Sequence, residues 1–89
     1  MYKSSVTTLQ ELGATVASTR KTMGLRQKDV AAQAGITPES LLRFERGQAS
    51  EFGSRKLLAV LAVLGMEIQF TKMGKSGSLD ELRRERGGE

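Results

Sequence analysis

Arg43 and Arg46 fall with Pro38, Glu39 and Leu42 on one side of a short helical stretch, while Leu41 and Phe44 fall on the other. The apolar pair must face a core, so the opposite side is free to enter a groove. That side carries two arginines and no lysine. Charge along the chain points the same way. Between Arg20 and Lys56 stand eight basic residues (Arg20, Lys21, Arg26, Lys28, Arg43, Arg46, Arg55, Lys56) and four acidic ones (Asp29, Glu39, Glu45, Glu51), so this stretch carries the whole formal charge of +4. A basic middle beside a charge-balanced tail suits a polyanion partner; a merely solvated surface is the plain alternative.

The residue types that are missing narrow the chemistry. The chain has neither histidine nor cysteine. The usual general base, the imidazole and thiolate metal ligands, the Ser-His and Cys-His nucleophile pairs and any disulfide are therefore excluded. Carboxylates, lysines and hydroxyls remain, in no catalytic constellation. A non-enzymatic protein without cofactor or bound metal is expected. At 89 residues and 38% apolar composition, the chain forms one small domain with one modest core. MYKSSVTTLQ has no long apolar run, and the stretch from Leu57 to Leu64 is too short to cross a bilayer, so the expected location is the cytoplasm, away from membranes.

The elements that must position the arginines follow from periodicity and caps. Leu9, Leu12, Val16 and Met23 form one stripe of a helix over about 8–23, ended by Gly24. A second helix over 26–34 turns Val30, Ala31 and Ala34 inward, and its alanines permit close approach by a neighbour. Gly35 makes the turn, Ile36 plugs the gap, and Thr37-Pro38 starts a third helix as N-cap and first residue. Gly47 closes that helix. After a loop over 48–53, Ser54 is expected to cap a fourth helix, 55–64, dense enough in Leu, Val and Ala to be almost wholly buried.

After Gly65 the period drops to two. Met66, Ile68 and Phe70 alternate with Glu67, Gln69 and Thr71, which reads as a strand without a partner strand in the chain. Either it lies along the helices as extended chain or, the favoured reading, it pairs with its copy in a homodimer. Gly74–Gly77 reads as a linker. Ser78-Leu79-Asp80-Glu81 is a capping box followed by an i,i+4 pair, Asp80/Arg84, too short to persist as a helix alone.

Two short helices joined by Ala34-Gly35-Ile36-Thr37 constitute a helix-turn-helix. From about Leu9 to Leu64 the chain resembles the Xre family of phage-repressor and Cro-like proteins. The resemblance is carried by Arg20, by Gly24-Leu25-Arg26-Gln27-Lys28-Asp29-Val30-Ala31, by Ala34-Gly35-Ile36-Thr37, by Leu41 and by Arg43-Phe44-Glu45-Arg46-Gly47. Glu51-Phe52-Gly53-Ser54-Arg55-Lys56-Leu57-Leu58 and Leu64-Gly65-Met66-Glu67-Ile68 look most like the HipB-type antitoxins. The resemblance implies an all-α, four- to five-helix repressor-like DNA-binding domain with one C-terminal β-strand pairing across a dimer. Its parts are an N-terminal arm (1–7), the helix-turn-helix domain (8–65), a dimer-capping strand (66–72) and a flexible tail (73–89).

The same resemblance implies roles. Glu39, Arg43, Leu42 and Pro38 occupy base-reading positions. Arg43 suits a bidentate contact to guanine, against a phosphate contact or an intrahelical pair with Glu39; Glu39 suits cytosine N4, against a favourable charge at the helix start; Leu42 suits a thymine methyl, against packing. Pro38 stands where relatives often read a base with glutamine, which removes one reader. Gln27, Arg26, Ser40, Arg46, Gln48, Ser54, Arg55 and Lys56 occupy phosphate-contacting positions. Arg26 stands where the family usually has a capping Thr or Ser. Met66, Ile68 and Phe70 would form the dimer contact, and Arg20 with Glu45 a partly exposed structural ion pair. Implied partners are an inverted-repeat double-stranded DNA operator, a second copy, and a HipA-like kinase toxin. A stand-alone phage-type repressor and an interaction module without DNA binding are the alternatives.

Overall fold

A threonine starts the first helix, α1 (Leu9–Thr22), in the computed structural model, which describes residues 6–72. Thr8 Oγ1 accepts the Glu11 N–H at 3.0 Å, and Glu11 Oε1 accepts the Thr7 N–H at 2.9 Å, so two otherwise orphaned donors are satisfied reciprocally. The Thr7 N–H above all, with the Thr7 and Thr8 hydroxyls, holds the Glu11 carboxyl below its ordinary pKa. A depressed carboxyl stabilises the folded form above its unfolded pKa and loses that contribution as pH falls through the folded value. Protection of the Thr7 amide from hydrogen exchange should therefore decline on acidification, and Glu11→Gln should flatten that profile.

α2 (Gln27–Ala34) follows a short loop, α3 (Pro38–Glu45) follows the turn, and α4 (Ser54–Val63) follows the loop after α3. Thr37 caps α3 as expected, its Oγ1 accepting the Ser40 N–H at 3.1 Å, with Pro38 as the first helical residue. α1 packs against α3, and α2 packs against both α3 and α4. Val16 of α1, Val30 and Ala31 of α2, Leu41 and Phe44 of α3, and Val60, Leu61 and Leu64 around α4 form the buried core. Leu9, Leu12, Ala34, Ile36, Phe52 and Met66 close around it. Ile36, in the turn between α2 and α3, is partly buried against this core.

Several expectations are corrected. α4 is not wholly buried: Leu58 is 53% exposed and Ala62 lies on the same open side, because α4 meets only α2 closely and one side suffices for that contact. Ser54 is the first helical residue rather than the cap; Gly53 takes the cap position, with no side-chain hydrogen bond. Met23, at the end of the α1 stripe, is 47% exposed because it forms the C-cap, where the chain already leaves the core. The expected strand over 66–72 is not formed: no strand occurs among the described residues, since a ladder needs a second strand to pair with. The linker, the capping box and the Asp80/Arg84 pair lie outside the described residues, as do most of the N-terminal arm and the tail. No helix among the described residues is long and apolar enough to cross a membrane.

Candidate nucleic-acid interface

Gly35 sits at φ 76°, ψ 29°, the left-handed region that side chains with a Cβ rarely adopt, and this single residue reverses the chain between α2 and α3. Leu41 and Phe44 anchor α3 from below at 0% and 1% exposure. The opposite side of the helix is thereby presented outward: Pro38, Glu39, Arg43 and Arg46 are exposed, and Leu42 is half-buried at the edge.

Beneath that face lies a polar network that fixes the relative placement of three helices. Glu45 of α3 accepts two hydrogen bonds from Arg20 of α1, Nε to Oε2 at 2.8 Å and Nη2 to Oε1 at 2.9 Å. Gln27 of α2 donates its Nε2–H to Glu45 Oε1 at 2.8 Å, and Arg20 Nη1–H donates to the Leu25 carbonyl at 2.9 Å. Hydrogen bonding to Glu45 holds the Arg20 guanidinium above its ordinary pKa against the opposing effect of burial. The pair was expected to be partly exposed. It is buried instead, at 8% and 9% exposure, because α1, α2 and α3 converge over it, and no buried side-chain polar atom among the described residues lacks a partner.

Gln27 therefore has a structural contact that its position in the sequence did not reveal. Gln27→Ala should lower stability by about 1 kcal/mol without any DNA present, a fall in Tm of roughly 4–8 °C for a domain of this size. A glutamine serving only a phosphate would leave the melting curve unchanged.

Two clefts flank the exposed face of α3. One, of about 460 Å³, is lined by Lys21, Arg26, Gln27, Leu42 and Arg46 over the Arg20–Glu45 pair. The other, of about 440 Å³, is lined by Thr37, Glu39, Ser40, Arg43, Glu51, Phe52 and Lys56. The structure thus gathers Arg26, Gln27 and Arg46 on one side and Glu39, Ser40, Arg43 and Lys56 on the other. Pro38, Gln48, Ser54 and Arg55 line neither cleft but are exposed. Lys56, Arg43 and Phe52 line the same cleft, and the Phe52 ring stacks on Phe44 with centroids 4.0 Å apart and planes 4° apart, pinning the 46–53 loop to α3. Lys21, Thr37 and Glu51 were not assigned a DNA contact from the sequence, yet they line these clefts.

Charge and backbone polarity agree along this surface. Arg20 is neutralised by Glu45, and Arg26 Nε pairs with Asp29 Oδ2 at 3.1 Å on the surface. With both pairs set aside, Lys21, Lys28, Arg43, Arg46, Arg55 and Lys56 face only Glu39 and Glu51. α1 and α3 have threonine caps, whereas α2 and α4 begin without a side-chain cap. The uncapped helices are those whose first turns hold Gln27 and Ser54-Arg55-Lys56, so their leading N–H groups remain available to an anion.

A capped third helix, outward arginines and uncapped flanking helices form a surface suited to a duplex. Residues 5–71, most of the chain, match the family described as a helix-turn-helix domain. The chain belongs to that family. No curated protein matches the sequence closely enough to carry a function across. A helix-turn-helix domain suggests a DNA-binding regulator, and here α2 packs against α3 while the outer side of α3 stays exposed.

Proposed function

We propose that this protein is a sequence-specific double-stranded DNA-binding transcriptional repressor rather than an enzyme. The observation that carries this is the outward face of α3, where Arg43 and Glu39 stand exposed one turn apart in a cleft that Lys56 also lines, with Arg46 lining a second cleft beside Lys21 and Arg26. Arg43 takes guanine through O6 and N7, and Glu39 accepts from a cytosine amine. Arg26, Arg46, Gln48, Ser54, Arg55 and Lys56 contact phosphates, with Ser40 at the edge. Two copies act together on an inverted repeat whose half-sites lie about one helical turn apart, joined through Met66, Ile68 and Phe70. The finer reading is a HipB-like antitoxin that represses its own operon and binds a HipA-like kinase toxin. Its support is the resemblance over Glu51–Leu58 and Leu64–Ile68.

The test is selection of duplexes from a randomised pool by the full chain, followed by binding of variants to the selected site and to unrelated duplex. Arg43→Ala should lose about 10- to 100-fold affinity for the selected site and discriminate less at one base position. Arg46→Ala should weaken both duplexes alike and reduce the salt slope by about one. Equal binding of the selected site by Arg43→Ala would refute the readout. For the antitoxin reading, co-expression with a kinase encoded beside this chain should yield a co-purifying complex; separate elution would leave a stand-alone repressor.

A further inference from the structure

The two clefts beside α3 differ in charge. In the cleft that holds Arg43 and Lys56, the carboxylates of Glu39 and Glu51 balance the two cations. In the other, Lys21, Arg26 and Arg46 are exposed, and the lining contributes no exposed acid. Its one carboxylate, Glu45, is buried and already accepts hydrogen bonds from Arg20 and Gln27. A polyanion is therefore drawn to this side of α3 more strongly than to the other.

The three cations come from three elements: Lys21 from the last turn of α1, Arg26 from the N-cap of α2 and Arg46 from the C-cap of α3. The convergence that buries Arg20 with Glu45 brings them to one cleft. Arg26 is drawn toward Asp29, at 3.1 Å. Lys21 and Arg46 have no ion-pair partner among the described residues. Gln27 lines the same cleft, but it is neutral, and one N–H of its amide is committed to Glu45.

We propose that Lys21 is a further DNA-contacting residue, its ammonium taking a backbone phosphate in this cleft beside Arg46 and supplying the charge that the Gln27 amide lacks. The proposal rests on the DNA-binding reading above and deepens it, adding α1 to the elements that hold the duplex. A lysine near the end of α1 also complements the negative end of that helix. That role acts on stability, with or without DNA. A phosphate contact acts instead on the salt dependence of binding, because it releases a counterion.

The experiment compares Lys21→Ala, Lys21→Arg and Lys28→Ala in the full-length chain, each titrated over a range of salt against the selected duplex and an unrelated one. Lys28 is the control: it is exposed on α2 and lines neither cleft, and its replacement removes the same charge. Lys21→Ala should weaken both duplexes alike, by about 3- to 10-fold at roughly 0.1 M salt, and reduce the salt slope by about one. Lys21→Arg should keep the slope of the parent, and Lys28→Ala should change it far less than Lys21→Ala does. Replacing single phosphates of the selected duplex by uncharged methylphosphonates locates the contact. At one position in each half-site the parent should lose affinity, and Lys21→Ala should lose no more. A melting temperature that falls in Lys21→Ala while the salt slope stays that of the parent would leave Lys21 a purely structural residue and overturn the proposal. A slope shifted equally by Lys21→Ala and Lys28→Ala would overturn it too, since net charge alone would then be at work. In both cases the DNA-binding reading stands as long as the parent selects a duplex. If the parent retains no duplex from the pool, both fall.

Discussion

Glu45→Ala should destabilise the protein by about 3–5 kcal/mol, the cost of leaving one partner of a buried ion pair without the other. Arg20 is only 8% exposed and would keep its charge, since guanidinium does not lose its proton at any usable pH. Gln27 would lose its acceptor at the same time. Total stabilities of small domains are on the order of 5 kcal/mol, so the variant should be largely unfolded at physiological temperature. Replacing both partners with apolar residues, Arg20→Met with Glu45→Leu, should recover much of the loss, because no uncompensated charge remains. Urea titrations of the single and double variants, followed by helical circular dichroism, make the comparison. A loss below about 1 kcal/mol for Glu45→Ala would mean that the pair behaves as an exposed one.

Gly13→Ala gives the second large effect, and here two physical terms oppose each other. In the middle of a helix, alanine is favoured over glycine by about 1 kcal/mol. A Cβ built on Gly13, however, would lie 1.9 Å from the Phe44 carbonyl oxygen and 2.9 Å from its carbon. That obstacle is backbone of α3, so it cannot swing aside as a flexible side chain would. α1 and α3 would have to separate, pulling Arg20 from Glu45 and lifting Leu41 and Phe44 from Val16. Overpacking of this kind costs about 1–3 kcal/mol and occasionally more. The steric term is expected to exceed the propensity term, for a net fall in Tm of roughly 5–15 °C. A rise in Tm would show that the two helices can separate without loss. Binding to non-specific duplex at low temperature should fall less than binding to the selected site, since phosphate contacts tolerate a shifted α3 better than base contacts do.

Much of the fold is local and was legible in the residues. Thr37-Pro38 starts α3 because a threonine oxygen accepts a free N–H and proline needs no acceptor for its own nitrogen. Gly24, Gly35, Gly47 and Gly65 mark the helix ends, and all four adopt positive φ. Val30, Ala31, Leu41 and Phe44 face the core as their spacing requires. The outward arginines of α3 follow from the same spacing, as the complement of its buried side.

What depended on which helix meets which was not legible. Arg20 and Glu45 were paired by resemblance, yet their burial comes from the convergence of three helices. Gln27 looks from its position like a phosphate ligand, while its amide is held by a carboxylate 18 residues away. Gly13 is one glycine in a helical run until Phe44 is seen against it. Leu57 to Leu64 is apolar throughout, and apolar composition alone does not say that Leu58 and Ala62 face outward. The sequence by itself determined the four helices, the Thr37-Pro38 start of α3, the reversal at Gly35 and which side of α3 faces outward, because each is decided by interactions within a few residues. Only the tertiary structure decided the buried Arg20–Glu45–Gln27 network, the contact at Gly13, the two flanking clefts and the open side of α4. Each of those depends on contacts between elements distant in the chain, which neither period nor propensity encodes.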